Sequence, residues 1–65
     1  MRKKLQLARK AKSKTQKEIA SEIGISERMY QDIEAGRREG KGAIWDKLEA
    51  LFNTPQRLLR EQEHS

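Results

Sequence analysis

Ser26, Glu27, Arg28, Gln31 and Asp32 place a hydroxyl, two carboxylates, a guanidinium and a carboxamide close together in the chain. On a helix, residues three and four apart are surface neighbours, so positions 27, 28, 31 and 32 share one side. Groups of these types bond in fixed directions. A guanidinium can donate two parallel bonds to guanine, a carboxamide can pair with adenine, and a carboxylate can accept from cytosine N4. A helix carrying such a face outward has the chemistry to read base edges in a major groove. Each group also has a plainer role. Arg28 can pair with Asp32 at i+4. Glu27 and Asp32 can hold that arginine in one rotamer, Gln31 is an ordinary helix-surface residue, and Ser26 is a natural cap.

Two helices and a tight turn must hold that face in place. Gly24 follows the apolar Ile23 and precedes Ile25-Ser26. Glycine there allows a positive φ, which lets the chain leave one helix without a Cβ penalty. Ser26 can cap the next helix by accepting from a backbone N–H of its first turn. Glu27 puts negative charge at that helix's positive end. Thr15 and Glu18 stand as Thr-x-x-Glu, a capping box for the preceding helix. Ile19, Ala20 and Ile23 form one apolar stripe, Tyr30 and Ile33 the matching one, and Ile25 closes the corner. Tyr30 belongs to the core, with its hydroxyl expected at the rim, and Met29 fills a partly buried position.

This stretch resembles the helix-turn-helix of the Cro/phage-repressor class, the XRE family. The matching residues are Gln16 opening the first helix of the pair, Ala20 at the crossing, Gly24 in the turn, Tyr30 and Ile33 in the core, and Ile33-Glu34-Ala35-Gly36 at the close. Upstream, Leu5-x-x-Ala8-Arg9 is similar to the family's first helix. Downstream, Leu48, Phe52 and Asn53-Thr54-Pro55 resemble its fourth helix and the start of its fifth. The likeness spans roughly residues 3–60. The loop after Gly36 departs from the pattern: it lacks the frequent proline and is one residue too long before the fourth helix.

The resemblance implies roles residue by residue. Ser26, Glu27, Arg28, Gln31 and Asp32 fall on the base-reading helix. Gln16 and Lys17 fall where a phosphate meets the start of the second helix. Arg37, Arg38 and Lys41 fall in the loop that meets the DNA backbone. Arg9 and Glu34 match a partly buried salt bridge between the first and third helices. The partner implied is double-stranded DNA.

Composition agrees. Sixty-five residues make one domain, near the lower limit for a core without staples. There is no cysteine and a single histidine, His64, so no thiolate or zinc site is expected. No cofactor and no small-molecule ligand are expected. Asp46 and Glu49 lie three apart, but they read as a solvated face in a chain too small for a catalytic pocket, so no enzyme is expected. No apolar run reaches the ~20 residues of a membrane span and no secretory signal opens the chain, which points to a cytoplasmic protein. Charge is uneven: residues 1–17 carry eight basic side chains and no acidic one, while the chain's net charge is +5. A basic end on a nearly neutral body suits a polyanion.

The expected fold is all-α, a compact five-helix bundle of the lambda-repressor-like type, over residues 1–60. The helices are expected near 2–12, 16–23, 27–35 and 43–52, and then from Pro55 as the first residue of a fifth, capped by Thr54. Residues 36–42 hold three glycines and read as a flexible basic loop, and residues 61–65 as a loose tail. Trp45, Phe52 and Leu59, from an apolar excess in the last two helices, are the expected anchors of a homodimer. The expected function is a transcription repressor on a palindromic operator. The alternative is a protein-interaction module of the same fold, an antitoxin or a phage accessory factor, which acidic Glu27 and Asp32 favour.

Overall fold

Thr15 and Ser26 each close the start of a helix in the way their positions demand. In a computed structural model describing residues 1–62, five α-helices follow one another: α1 Lys3–Ala11, α2 Gln16–Ile23, α3 Glu27–Ala35, α4 Gly42–Phe52 and α5 Gln56–Leu59. No strand occurs among the described residues. At α2 the Thr15 hydroxyl accepts from Glu18 N at 3.1 Å, and Glu18 Oε1 accepts from Thr15 N at 2.9 Å. Both halves of the capping box are made. These bonds to Thr15, its backbone N–H first, hold the Glu18 carboxyl below its usual range. At α3 the Ser26 hydroxyl accepts from Met29 N at 3.1 Å. Between them Gly24 takes φ 81°, the left-handed conformation that only glycine adopts without strain.

α2 and α3 pack on one another, α1 lies against α3 and α5, and α4 against α2 and α5. The core they enclose is Leu5, Ile19, Ala20, Ile23, Tyr30, Ile33, Ile44, Trp45, Leu48, Phe52 and Leu59. Every helix contributes to it, so the helix-turn-helix pair is held from behind by α1, α4 and α5. Burying large apolar side chains such as Trp45 and Leu48 completely contributes about 1.5–3 kcal/mol each against conformational entropy.

Several local expectations change once the helices are packed. Trp45 and Leu59 are wholly buried and Phe52 nearly so, all within the core of this one chain. Buried in this one chain, they offer little surface for the dimer contact expected of them. The Tyr30 hydroxyl is enclosed rather than at the rim, and it finds no hydrogen-bond partner among the described residues. Thr54 does not cap α5: its hydroxyl donates to Phe52 O at 2.9 Å. Pro55 takes the cap position without a side-chain bond, and Glu49 Oε2 reaches across from α4 to accept from Gln56 N at 2.8 Å. The tail expected to be loose begins with Glu61, whose carboxylate meets Lys4 Nζ at 3.0 Å. Gln62 Nε2 donates to Gly36 O at 3.3 Å. Residues 63–65 of that expectation lie outside the described residues.

The loop expected to be flexible is pinned from three sides. Arg37 N and Arg38 N both donate to Asp32 O, at 2.8 and 3.2 Å. The Trp45 indole N–H donates to Glu39 O at 2.8 Å. A Cβ on Gly40 would lie 3.3 Å from Ile33 Cδ1 and from Trp45 Nε1, so the backbone there packs closely on the core.

Arg2 supplies the third side. It is only 1% exposed. Its guanidinium donates to Ile33 O, to Arg38 O at 2.9 Å and to Arg60 O at 3.1 Å. It also lies 5.1 Å above the Trp45 ring centroid, with Glu39 Oε1 at 3.5 Å. Burial lowers its pKa, with the Glu39 carboxylate pulling the other way. Arg2 therefore does not belong to the basic face that the charge count suggests. It is a buried clip joining the end of α3, the loop and the end of α5.

Candidate nucleic-acid interface

The exposed side of α3 carries the groups singled out by their chemistry. Arg28 projects outward, its side chain 81% exposed. Ser26 and Glu27 are also exposed, while Gln31 and Asp32 are partly buried. Gln31 Nε2 donates to Glu27 Oε2 at 3.3 Å. Arg28 Nε lies 3.6 Å from Asp32 Oδ1, an ion-pair distance. These four side chains thus form two i,i+4 pairs on neighbouring lines of the helix.

Asp32 has a stronger partner from the loop. Arg37 donates to Asp32 Oδ1 from Nε at 3.0 Å and lies at 2.9 Å through its Nη2. The hydrogen bond from Arg37, with the nearby charges of Arg37, Arg28 and Arg38, holds the Asp32 carboxyl below the usual carboxylate range. The two acidic groups on the face are therefore unlike. Asp32 is paired with arginine, whereas Glu27 forms no ion pair among the described residues.

Around α3 lie the groups expected at phosphates. Arg37, with a side chain 63% exposed, stands just past the helix end. Arg38 and Lys41 are exposed in the following loop, and Lys17 is exposed in the first turn of α2. Gln16 is partly turned inward, its Nε2 donating to Glu34 Oε1 at 3.2 Å. A phosphate at the start of α2 would have to share or take over that carboxamide.

Behind the face, Arg9 and Glu34 tie α1 to α3. Arg9 Nε meets Glu34 Oε2 at 2.9 Å and Nη2 meets Oε1 at 3.1 Å, with the side chains 12% and 4% exposed. Arg9 Nη1 donates to Lys14 O at 2.8 Å. The hydrogen bonds to Glu34 raise the Arg9 pKa. Lys47 Nζ donates to Ile23 O at 3.2 Å, so α4 closes the C-terminal end of α2. Neither Arg2 nor Lys47 is distinguishable by type or spacing from the other basic residues of the sequence. Only their carbonyl partners, distant along the chain, set them apart.

A rigid pair of capped helices, the second exposed along one side and flanked by cations, defines a helix-turn-helix DNA-binding domain. The helix-turn-helix family model matches residues 5–59, and the chain belongs to that family, of the Cro/XRE type. Its role is of the DNA-binding transcription-regulator kind. Neither a curated protein nor a solved structure matches the chain. No helix among the described residues is long and apolar enough to cross a membrane.

Proposed function

We propose that the chain is a sequence-specific transcription repressor, acting in the cytoplasm as a homodimer on a two-fold symmetric operator. One observation supports it above the others. Arg28 projects from a helix that is capped, packed and clamped behind by Arg9–Glu34, so its guanidinium is carried on a rigid element. In this reading α3 lies in the major groove. Arg28 and Gln31 read bases, with Ser26, Glu27 and Asp32 beside them. Lys17, Arg37, Arg38, Lys41 and Gln16 meet phosphates and fix the register. Repression is steric, by occupying a promoter.

A single domain of this size buries too little DNA surface for high affinity, so two copies bind half-sites about 34 Å apart. With Trp45 and Leu59 enclosed, the contact between copies falls to other side chains of α4 and α5. Leu51 and Leu58 are partly exposed there. A monomeric mass on DNA recovered with two-fold symmetric motifs would overturn the dimer.

The test is to incubate the protein with random duplexes at about physiological salt and sequence what it retains. A symmetric motif with half-sites one turn apart is the expected result. No enrichment by well-folded protein overturns the reading. The second reading, a protein-interaction module, draws on exposed Glu27, an acidic group that forms no ion pair among the described residues. A protein contact made through apolar surface would keep its affinity as salt rises, whereas DNA binding falls steeply.

A further inference from the structure

Asp32 is the joint of the exposed face. Its backbone carbonyl accepts from Arg37 N and Arg38 N, which fixes where the loop leaves α3. Its side chain then meets two arginines through the same oxygen. Oδ1 lies 2.9 Å from Arg37 Nη2, 3.0 Å from Arg37 Nε and 3.6 Å from Arg28 Nε. The side chain is 18% exposed, against 81% for Arg28 and 63% for Arg37. The carboxylate therefore sits low between two protruding cations.

The atoms used differ between the two arginines. Arg28 turns its Nε edge to Asp32, and its two terminal amino groups have no hydrogen-bond partner among the described residues. Those terminal groups form the fork that fits O6 and N7 of guanine. Arg37 gives its side-on edge, Nε and Nη2, to Asp32, and its remaining N–H groups stay free among the described residues. Arg37 stands just past the end of α3, where it can meet a phosphate.

We propose that Asp32 is a positioning residue for specificity: it holds Arg28 with the guanine-reading fork outward, and it lowers binding to random DNA by setting a carboxylate between two arginines that phosphates would otherwise meet. This inference rests on the reading of α3 as the DNA face. A phosphate is an anion and is repelled by the Asp32 carboxylate beside these arginines, whereas guanine O6 and N7 are neutral acceptors. At a site with guanine in the right place, Arg28 gains two bonds while its Nε stays with Asp32. The penalty falls on wrong sites more than on right ones, which is how a repulsive element creates selectivity.

Asp32→Asn, compared with Glu27→Gln, tests this. Both remove one negative charge from α3, but Glu27 pairs with Gln31 and holds no arginine. Binding is measured to the duplex enriched by the wild-type protein and to random duplex, over a range of salt. Asp32→Asn is expected to bind random duplex about tenfold tighter, with a salt slope steeper by about one unit for each arginine released. The ratio of specific to random affinity is expected to fall, and guanine preference to fade at the position Arg28 reads. Asp32→Ala is the second variant. It keeps the same backbone carbonyl and favours the helix, so it folds if the asparagine variant does not. Unchanged random affinity and unchanged base preference in the variants would overturn the proposal, as would Glu27→Gln having the full effect of Asp32→Asn. A folded wild-type protein that retains no duplex at all would instead overturn the DNA reading itself, and this proposal with it.

Discussion

Arg9 and Glu34 hold each other through two parallel hydrogen bonds, Nε to Oε2 at 2.9 Å and Nη2 to Oε1 at 3.1 Å, across the contact between α1 and α3. Further bonds support the pair: Arg9 Nη1 donates to Lys14 O and Glu34 Oε1 accepts from Gln16. Geometry of this quality is what lets a buried pair recover its desolvation cost. The pair joins the start of α2 to α1 and α3, and so sets how the exposed helix is carried.

Glu34→Ala leaves Arg9 with a buried, uncompensated charge. The expected loss of stability is about 3 kcal/mol. Urea or thermal melts followed by helical circular dichroism check it. A melt unchanged from wild type would mean that the pair contributes nothing net.

Arg2→Ala strips the bonds from Ile33 O, Arg38 O and Arg60 O and uncovers one face of Trp45. The expected cost is about 2–4 kcal/mol, from unsatisfied carbonyls and lost packing. Arg60 still lies 5.6 Å over the ring centroid, so Trp45 is not left bare. Trp45 is the sole tryptophan in the chain, and its emission is expected to move to longer wavelength in the variant. Native-like emission with native-like stability would show that Arg2 is dispensable.

Tyr30 is the sole tyrosine, and its hydroxyl is enclosed. Burial first, and the nearby Glu34 carboxylate second, push its pKa well above the ordinary 10.0. The sign of the pH effect follows from that. Below about 10 the phenol is protonated in both folded and unfolded chains, and its contribution to stability is fully present. Above about 10 only the unfolded chain ionises, so that contribution is lost as pH rises. Phenolate absorbance is expected to appear together with loss of helix. A phenolate titrating near pH 10 in folded protein would contradict the burial.

Arg28→Ala and Arg38→Ala separate reading from holding. The first is expected to cost about 1–3 kcal/mol on the preferred duplex and to relax choice at one base position. The second is expected to weaken all duplexes alike and to reduce the salt slope by about one. Arg38 also accepts from Arg2 through its backbone carbonyl, which the alanine variant retains, so the loop keeps its anchor. Equal losses on preferred and random duplexes for both variants would show that the roles are not divided this way.

Local features of this chain could be read directly from residue order. The Thr15–Glu18 box, the Ser26 cap and the left-handed Gly24 depend on a few adjacent residues, so their chemistry is complete within a short window. The same holds for the apolar spacing that places Ile19, Ile23, Tyr30 and Ile33 in the core. It also holds for the outward chemistry of Arg28, since a helix once formed decides which positions share a side.

Packing between distant segments decided the rest. Arg2, next to seven other basic residues of the first seventeen, has nothing in its type or spacing that marks it as buried. Its three carbonyl acceptors come together only when α3, the loop and α5 converge. Thr54 and Pro55 have the form of a capped helix start, yet Glu49 from the preceding helix meets the free N–H and leaves the Thr54 hydroxyl to bond Phe52 O. Trp45, Phe52 and Leu59 look like surplus apolar surface along their own helices. A core of sixty-five residues is lean enough to absorb them all, because large side chains are buried wherever the helices leave room. Residue order specifies hydrogen bonds and apolar spacings that close within a turn or two of chain. Which carboxylate, carbonyl or ring a long side chain meets across the fold is set only by how the five helices come together.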